Sequence, residues 1–118
     1  MSGNINFNGW LNDDGSENYK CRAWVNFNGT STVAIRASGN VSSITDGGTG
    51  DYTVNFTTAM VDASYSICGQ ASLGAGGLDP RIFGACGTDP TASSFEVATT
   101  TNGGTQQDCE YVCVSIFR

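Results

Sequence analysis

The stretch from Asn40 to Phe56 limits the fold of this chain to few classes. It contains two strand-like runs separated by a glycine-rich turn, whose glycines can take the positive φ that a tight reversal needs. In the second run Tyr52, Val54 and Phe56 alternate with polar residues, as in a strand that is buried on one face and hydrated on the other. The stretch therefore predicts a β-hairpin in a half-buried antiparallel sheet.

The same alternation recurs at short intervals along most of the chain, which is typical of an all-β sandwich or barrel. We predict an all-β domain, a sandwich or a barrel, over residues 20–118, preceded by a connector or edge strand at 1–19. In the first long strand Ala23, Val25 and Phe27 are expected to share the buried face. The predicted strands lie at about 20–28, 32–38, 41–46, 51–58, 64–71, 80–86, 93–100 and 109–117.

The predicted core is thin for a chain of this length. Leu, Ile, Val and Phe make up only 23 of 118 residues, close to the level of about 20% below which chains tend to be disordered. Low charge and regular strand patterning argue against disorder, so we expect an oligomer in which subunit contact supplies part of the burial. Trp24 and Arg36 fall on nominally polar strand faces and are candidates for that interface. Trp24 can alternatively stack on a sugar ring, and Trp10 is a candidate for either role.

Charge and residue types exclude several function classes. The net charge of −6 disfavours nucleic acid and anionic membrane surfaces, so neither binding to nucleic acid nor membrane insertion is expected. The chain has no histidine, the usual activator of nucleophiles and the commonest zinc ligand, and we predict no metal and no cofactor.

Asp46 and Asp51 flank a turn but provide too few oxygens for calcium. Glu96 and Glu110 are a weak candidate for a glycosidase pair, because Glu96 alternates with apolar neighbours and is expected to face solvent.

The five cysteines are an odd number, and no apolar signal segment opens the chain, which fits synthesis in a reducing cytosol. Cys109 and Cys113, read as one strand, are about 13 Å apart and too distant for a disulfide. We expect mostly buried free thiols, with a Cys68–Cys86 bridge as the alternative.

Three loops are the candidates for exposed, adaptable surface. Glycine runs and two Asp-Pro pairs between residues 70 and 94 predict two loops around a short strand, and a third loop is expected at 100–108. The candidate binding residues in these loops are Leu73, Leu78, Asp79, Arg81, Asn102, Gln106 and Gln107.

Four consecutive segments carry a resemblance to a known family. They read CRAWVNFNGT at 21–30, TVAIR at 32–36, NVSSITD at 40–46 and GDYTVNFTTAM at 50–60, and a later ASY at 63–65 continues the pattern. In these residues the chain resembles the C-terminal domains of tail fibres and related host-recognition proteins of tailed bacteriophages, especially marine ones. The resemblance is close over about residues 21–68 and general beyond.

The resemblance implies that residues 20–118 form a small antiparallel β-sandwich, a jelly-roll-like knob, which is trimeric about the fibre axis. Its outer loops would bind a receptor on the bacterial surface, so the loop residues given above become the candidate receptor-binding residues. The expected function is therefore a non-enzymatic fibre tip that is made in the host cytoplasm, resides in the virion and adheres to a surface glycan or an outer-membrane protein. The alternatives are a capsid or tail decoration protein that binds the virion and, less favoured, a tip hydrolase that cuts host polysaccharide.

Overall fold

The computed structural model describes residues 4–6, 9–11, 13–16, 19–74, 79–85 and 87–118. Within these ranges the chain is all-β and contains no helix, which confirms the all-β part of the predicted fold. The strands are β1 (Asn4–Asn6), β2 (Gly9–Leu11), β3 (Cys21–Asn28), β4 (Ala34–Gly39), β5 (Val41–Gly48), β6 (Asp51–Phe56), β7 (Ser66–Ser72), β8 (Pro80–Ala85), β9 (Ser94–Thr100) and β10 (Tyr111–Phe117).

Strands β3 to β10 form one continuous antiparallel sheet, whereas β1 and β2 pair only with each other. The order in the sheet is β4-β3-β10-β7-β8-β9-β6-β5, and every neighbouring pair is antiparallel. The two edge strands, β4 and β5, are consecutive in the chain and approach each other, so the sheet is nearly closed and barrel-like. The eight long strands match the predicted ones. They form one continuous sheet, however, which does not confirm the predicted two-sheet sandwich.

The predicted hairpin is confirmed as β5 and β6, which pair from Val41 with Phe56 to Gly48 with Asp51. The corner between β4 and β5 is made by Asn40, whose φ of 57° belongs to the left-handed region that asparagine tolerates better than most residues. Its side-chain oxygen accepts a hydrogen bond from the Thr58 backbone nitrogen at 2.7 Å. Asn40 therefore turns the chain from one sheet edge to the other and fixes the segment that follows β6.

The barrel interior is filled by the apolar residues that alternate along β3, β6, β9 and β10. Phe27 meets Tyr52 edge to face with ring centroids 5.2 Å apart, and Phe56, Tyr65 and Phe95 form a second aromatic cluster. The predicted burial of one face is confirmed for Ala23, Val25, Phe27, Tyr52, Val54 and Phe56.

The strand directions give the barrel two distinct ends. The connections at 29–33, 49–50 and 101–110 lie at one end, together with residues 73, 74 and 79; we call this the loop end, and the chain enters β3 at the opposite end, the far end. Arg118 is held at the far end, where its guanidinium donates to both carboxylate oxygens of Asp62 at 3.0 and 2.8 Å. The loop end therefore lies opposite the end at which the chain enters the barrel.

The expectation of mostly buried thiols is wrong for the described cysteines. Cys109 is buried, Cys113 is half-buried, and Cys21 and Cys68 are exposed; all four are free. Cys68 and Cys113 are exposed or half-buried because they occupy outward-facing positions of β7 and β10. The residues next to them along each strand face the interior. The Cys68–Cys86 alternative involves a residue that lies outside the described ones.

Candidate functional site

The loop end is held together by hydrogen bonds that connect β6, β9 and the 101–110 loop. The Asp108 carboxylate accepts from the Gly50 backbone nitrogen at 2.8 Å and from the Tyr52 hydroxyl at 2.8 Å. The Thr99 hydroxyl donates to the Gln107 carbonyl at 2.6 Å. Burial, together with the Asp108 carboxylate, raises the pKa of Tyr52 above its usual value of 10.0, so the hydroxyl stays protonated and can donate. These contacts give the 101–110 loop a fixed base.

Two of the predicted receptor loops meet at this end. The Arg81 guanidinium donates from Nε to the Gln107 side-chain oxygen at 2.8 Å and forms an ion pair with Asp79. The Leu73 backbone nitrogen donates to the Asp79 carbonyl at 3.1 Å, and the Glu110 backbone nitrogen donates to the Leu73 carbonyl at 3.4 Å. The structure thus brings Leu73, Asp79, Arg81 and Gln107 into one connected group.

The remaining predicted loop residues are more peripheral. Asn102 and Gln106 are exposed, and Gln106 forms an isolated bridge with Thr100 at the root of its loop. Gly104, at a φ of 92°, closes the turn between them, and its backbone nitrogen donates to the Thr101 carbonyl at 2.9 Å. Both side chains therefore project from a compact, hydrogen-bonded turn. Leu78 lies outside the described residues.

The predicted interface residues lie on the outer surface of β3, β10 and β7. Trp24 is 44% exposed, and its indole lies so close to Gly39 that a Cβ there would stand 2.5 Å from the indole nitrogen. Because any larger residue at position 39 would displace the ring, Gly39 is what lets the indole lie flat on β4. A groove of about 470 Å³ runs beside the ring. We call this surface the Trp24 face; its outward side chains are Trp24, Asn26, Cys68, Gln70, Cys113 and Ser115.

Arg36 borders the Trp24 face near the loop end and is engaged within its own chain. Its guanidinium carbon lies 4.1 Å above the Tyr111 ring centroid, and its two terminal nitrogens donate to the Asn26 side chain at 3.1 Å and the Glu110 carbonyl at 2.8 Å. Trp10 lies in β2, outside the eight-stranded sheet. Of the three candidate interface residues, the structure places Trp24 and Arg36 on one side of the barrel.

The two members of the candidate glycosidase pair have different surroundings. Glu96 is half-buried and accepts from the Thr88 hydroxyl at 2.7 Å, while Glu110 lies beside Leu73 at the loop end. Within the described ranges no three acidic or cysteine side chains come together in a geometry that could hold a metal ion. The same part of the chain contains no helix long and apolar enough to cross a membrane.

The Asp51 and Glu96 side chains approach each other across the neighbouring strands β6 and β9, and their charges affect the stability of the fold. Partial burial, reinforced by the Glu96 carboxylate, raises the pKa of Asp51 above its ordinary value of 3.8. The folded protein therefore binds this proton more tightly than the unfolded chain does. The ionised form lowers stability at neutral pH, and this penalty disappears below the ordinary pKa.

We expect Asp51→Asn to raise the melting temperature at pH 7 by about 1–3 °C, because it removes an unfavourable charge. The gain should shrink as the pH falls and vanish near pH 3, where the wild-type carboxyl is protonated. Thermal unfolding followed by circular dichroism at both pH values measures this. Asp13→Asn, in an exposed turn before the barrel, removes the same charge elsewhere and serves as control. An equal gain in both variants would contradict the account.

Sequence reasoning missed the residues that fix the loop end. Tyr52 was assigned to the core but not to a hydrogen bond with Asp108, which is 56 residues away. Thr99 is fully buried although threonine is a polar residue, because its hydroxyl is satisfied by Gln107. The only signal in the sequence was position, since Thr99 continues the inward alternation of Phe95 and Val97.

No protein-family model matches the chain, and no curated protein or solved structure is significantly similar to it.

Proposed function

We propose that this chain is a non-enzymatic receptor-binding module of the tail-fibre-tip kind, assembled as a homotrimer in the virion and adhering to the bacterial surface. The observation that carries the proposal is the gathering of Leu73, Asp79, Arg81 and Gln107 at the end of the barrel opposite to the N-terminal entry. A fibre tip needs this polarity, because its shaft attaches at one end and its receptor is met at the other. The resemblance of residues 21–68 to phage fibre tips points to the same function.

The Trp24 face supports the proposed trimer. All six of its side chains are uncharged, although the chain carries a net charge of −6. The Trp24 face presents a half-exposed tryptophan and two accessible thiols to solvent. Contact with another protein surface would remove this weakly polar area from water. In this proposal the neighbouring copies of the chain cover Trp24, and the barrel-like sheet is a variant of the β-sandwich knob that the resemblance implies.

Cell binding tests the proposed receptor function. Fluorescently labelled protein is incubated with a panel of marine bacterial isolates, and bound fluorescence is read by flow cytometry. We expect binding to a subset of isolates, and the double variant Asn102→Ala, Gln106→Ala should reduce it several-fold, because it removes two exposed amide side chains from the loop end. The matched control, Thr57→Ala with Ser93→Ala at the far end, should bind as the wild type does.

Two outcomes would count against this function. Binding to no isolate by protein that is folded and trimeric would remove support for adhesion. Equal loss of binding in the loop-end variant and the far-end control would show that the loops are not the contact surface. A decoration protein is the second candidate, and binding to purified virions rather than to cells would favour it.

A further inference from the structure

The barrel wall has an opening between β7 and β8, next to the two positions at which these strands pair near the loop end. They pair only at Ala71 with Arg81 and at Ser72 with Pro80, whereas the following residues of β8 pair with β9 on its other side. Gly69 has no side chain, and the Phe83 ring lies in the space that one would take, 2.4 Å from the position of a Cβ. Both residues line a cavity of about 620 Å³, within the range of about 300–1,000 Å³ that small-molecule sites occupy.

The polar groups of this cavity are held in position yet keep free bonding capacity. Arg81 is fixed from both sides, by the Gln107 side chain and by Asp79, and its side chain is 17% exposed. Its second terminal nitrogen, the second carboxylate oxygen of Asp79 and the Ser72 hydroxyl make no hydrogen bond to another described residue. The cavity therefore presents fixed donors and acceptors that a ligand can engage without first disrupting the fold.

Apart from Gln70, the rest of the cavity lining is apolar. Tyr111, Pro80 and Phe83 line it, and the Tyr111 ring is held in place by the Arg36 guanidinium stacked on one of its faces. A rigid ring needs no ordering on binding, so its contact area contributes at low entropic cost. An apolar wall opposite a few fixed polar groups is the usual composition of a small-ligand site.

The charges of the site favour a neutral ligand. The Arg81 guanidinium is neutralised by Asp79, and the chain as a whole carries a net charge of −6, which repels anions such as phosphates or acidic sugars. A neutral pyranose matches both halves of the cavity, because its hydroxyls both donate and accept hydrogen bonds while its C–H face packs against an aromatic ring.

We propose that the opening between β7 and β8 binds one or two neutral hexopyranose units of a host surface glycan, with Asp79 and Arg81 bonding the sugar hydroxyls and Tyr111 packing against the ring. This inference rests on the proposed receptor function and names its ligand class. Ser72 supplies a further hydrogen bond, and Phe83 closes the cavity from inside the barrel.

Saturation-transfer NMR on the full chain tests this site, with the methyl glycosides of glucose, galactose, mannose and N-acetylglucosamine as ligands and methyl glucuronide as the anionic comparison. We expect transfer from at least one neutral glycoside and none from the glucuronide. Asp79→Asn should weaken binding about tenfold to a hundredfold, because a hydrogen bond to a charged group is lost. Ser72→Ala should weaken it a few-fold, and Asp89→Asn, an exposed aspartate at the far end, should leave it unchanged.

The NMR and cell-binding experiments test the sugar site and the proposed receptor function independently. Absence of transfer from every neutral glycoside, or transfer that Asp79→Asn and Ser72→Ala both leave unchanged, would overturn the sugar site. If cells still bind the protein in that case, the receptor function stands without it. If no cell binds while the NMR signal still responds to Asp79→Asn, the sugar site stands and the receptor function falls.

Discussion

Replacement of Phe27 by alanine is expected to lower the free energy of unfolding by about 3–5 kcal/mol, the usual cost of removing a fully buried phenylalanine. Phe27 has no exposed surface, and its ring meets Tyr52 edge to face at a centroid distance of 5.2 Å. The substitution leaves a cavity beneath the loop end and removes one wall of the packing around Tyr52. A loss of this size is a large share of the about 5–15 kcal/mol that stabilises a typical domain.

Urea unfolding followed by tryptophan fluorescence measures the loss for Phe27→Ala, with Tyr19→Ala as the control. Tyr19 is 84% exposed, and its removal should change stability by less than about 1 kcal/mol. If Phe27→Ala cost no more than Tyr19→Ala, the inward orientation of β3 would be wrong. The outward placement of Trp24, which alternates with the buried residues of the same strand, would then fail as well.

Replacement of Trp24 by alanine is expected to convert the proposed trimer to monomer or to soluble aggregates with a much lower melting temperature. The indole is the largest side chain of the Trp24 face, and tryptophan is among the residues that contribute most to interface affinity. Its loss should cost more than about 2 kcal/mol per interface. Sedimentation velocity gives the oligomeric state, and calorimetry gives the melting temperature.

Ile82→Ala is the matched control for the Trp24 variant. Ile82 is 47% exposed, close to the 44% of Trp24, but it lies on β8 and does not line the groove beside the indole. This variant should remain trimeric with nearly unchanged melting. A Trp24→Ala protein that stayed an intact trimer with normal melting would refute the interface, and an equal effect of both substitutions would show that the Trp24 face has no special role.

The strands were predictable because their signals are local. A period-2 alternation such as that of Tyr52, Val54 and Phe56 needs no knowledge of the partner strand, and the hairpin around them is fixed by glycines within the same stretch. The order of strands was not predictable in this way. Pairing β3 with β10 joins segments about ninety residues apart, and nothing in either segment alone selects the other.

The candidate site was predictable only in part, for the same reason. The sequence predicted the loop of Asp79 and the loop of Gln107 separately. The contact between these loops, which Arg81 makes, depends on how the barrel closes. The opening between β7 and β8 depends on where two strands cease to pair, which the alternation does not encode. The exposed thiols were missed because the general tendency of cysteine to be buried ignores which strand face it occupies.

The mass of the unmodified chain in solution shows whether the binding module is a trimer. Light scattering coupled to size-exclusion chromatography, at two protein concentrations, measures that mass independently of molecular shape. For the proposed trimer we expect a mass three times that of one chain. A mass equal to a single chain at both concentrations would contradict it, because the Trp24 face would then lie open to solvent and the loop ends would not be gathered on one axis.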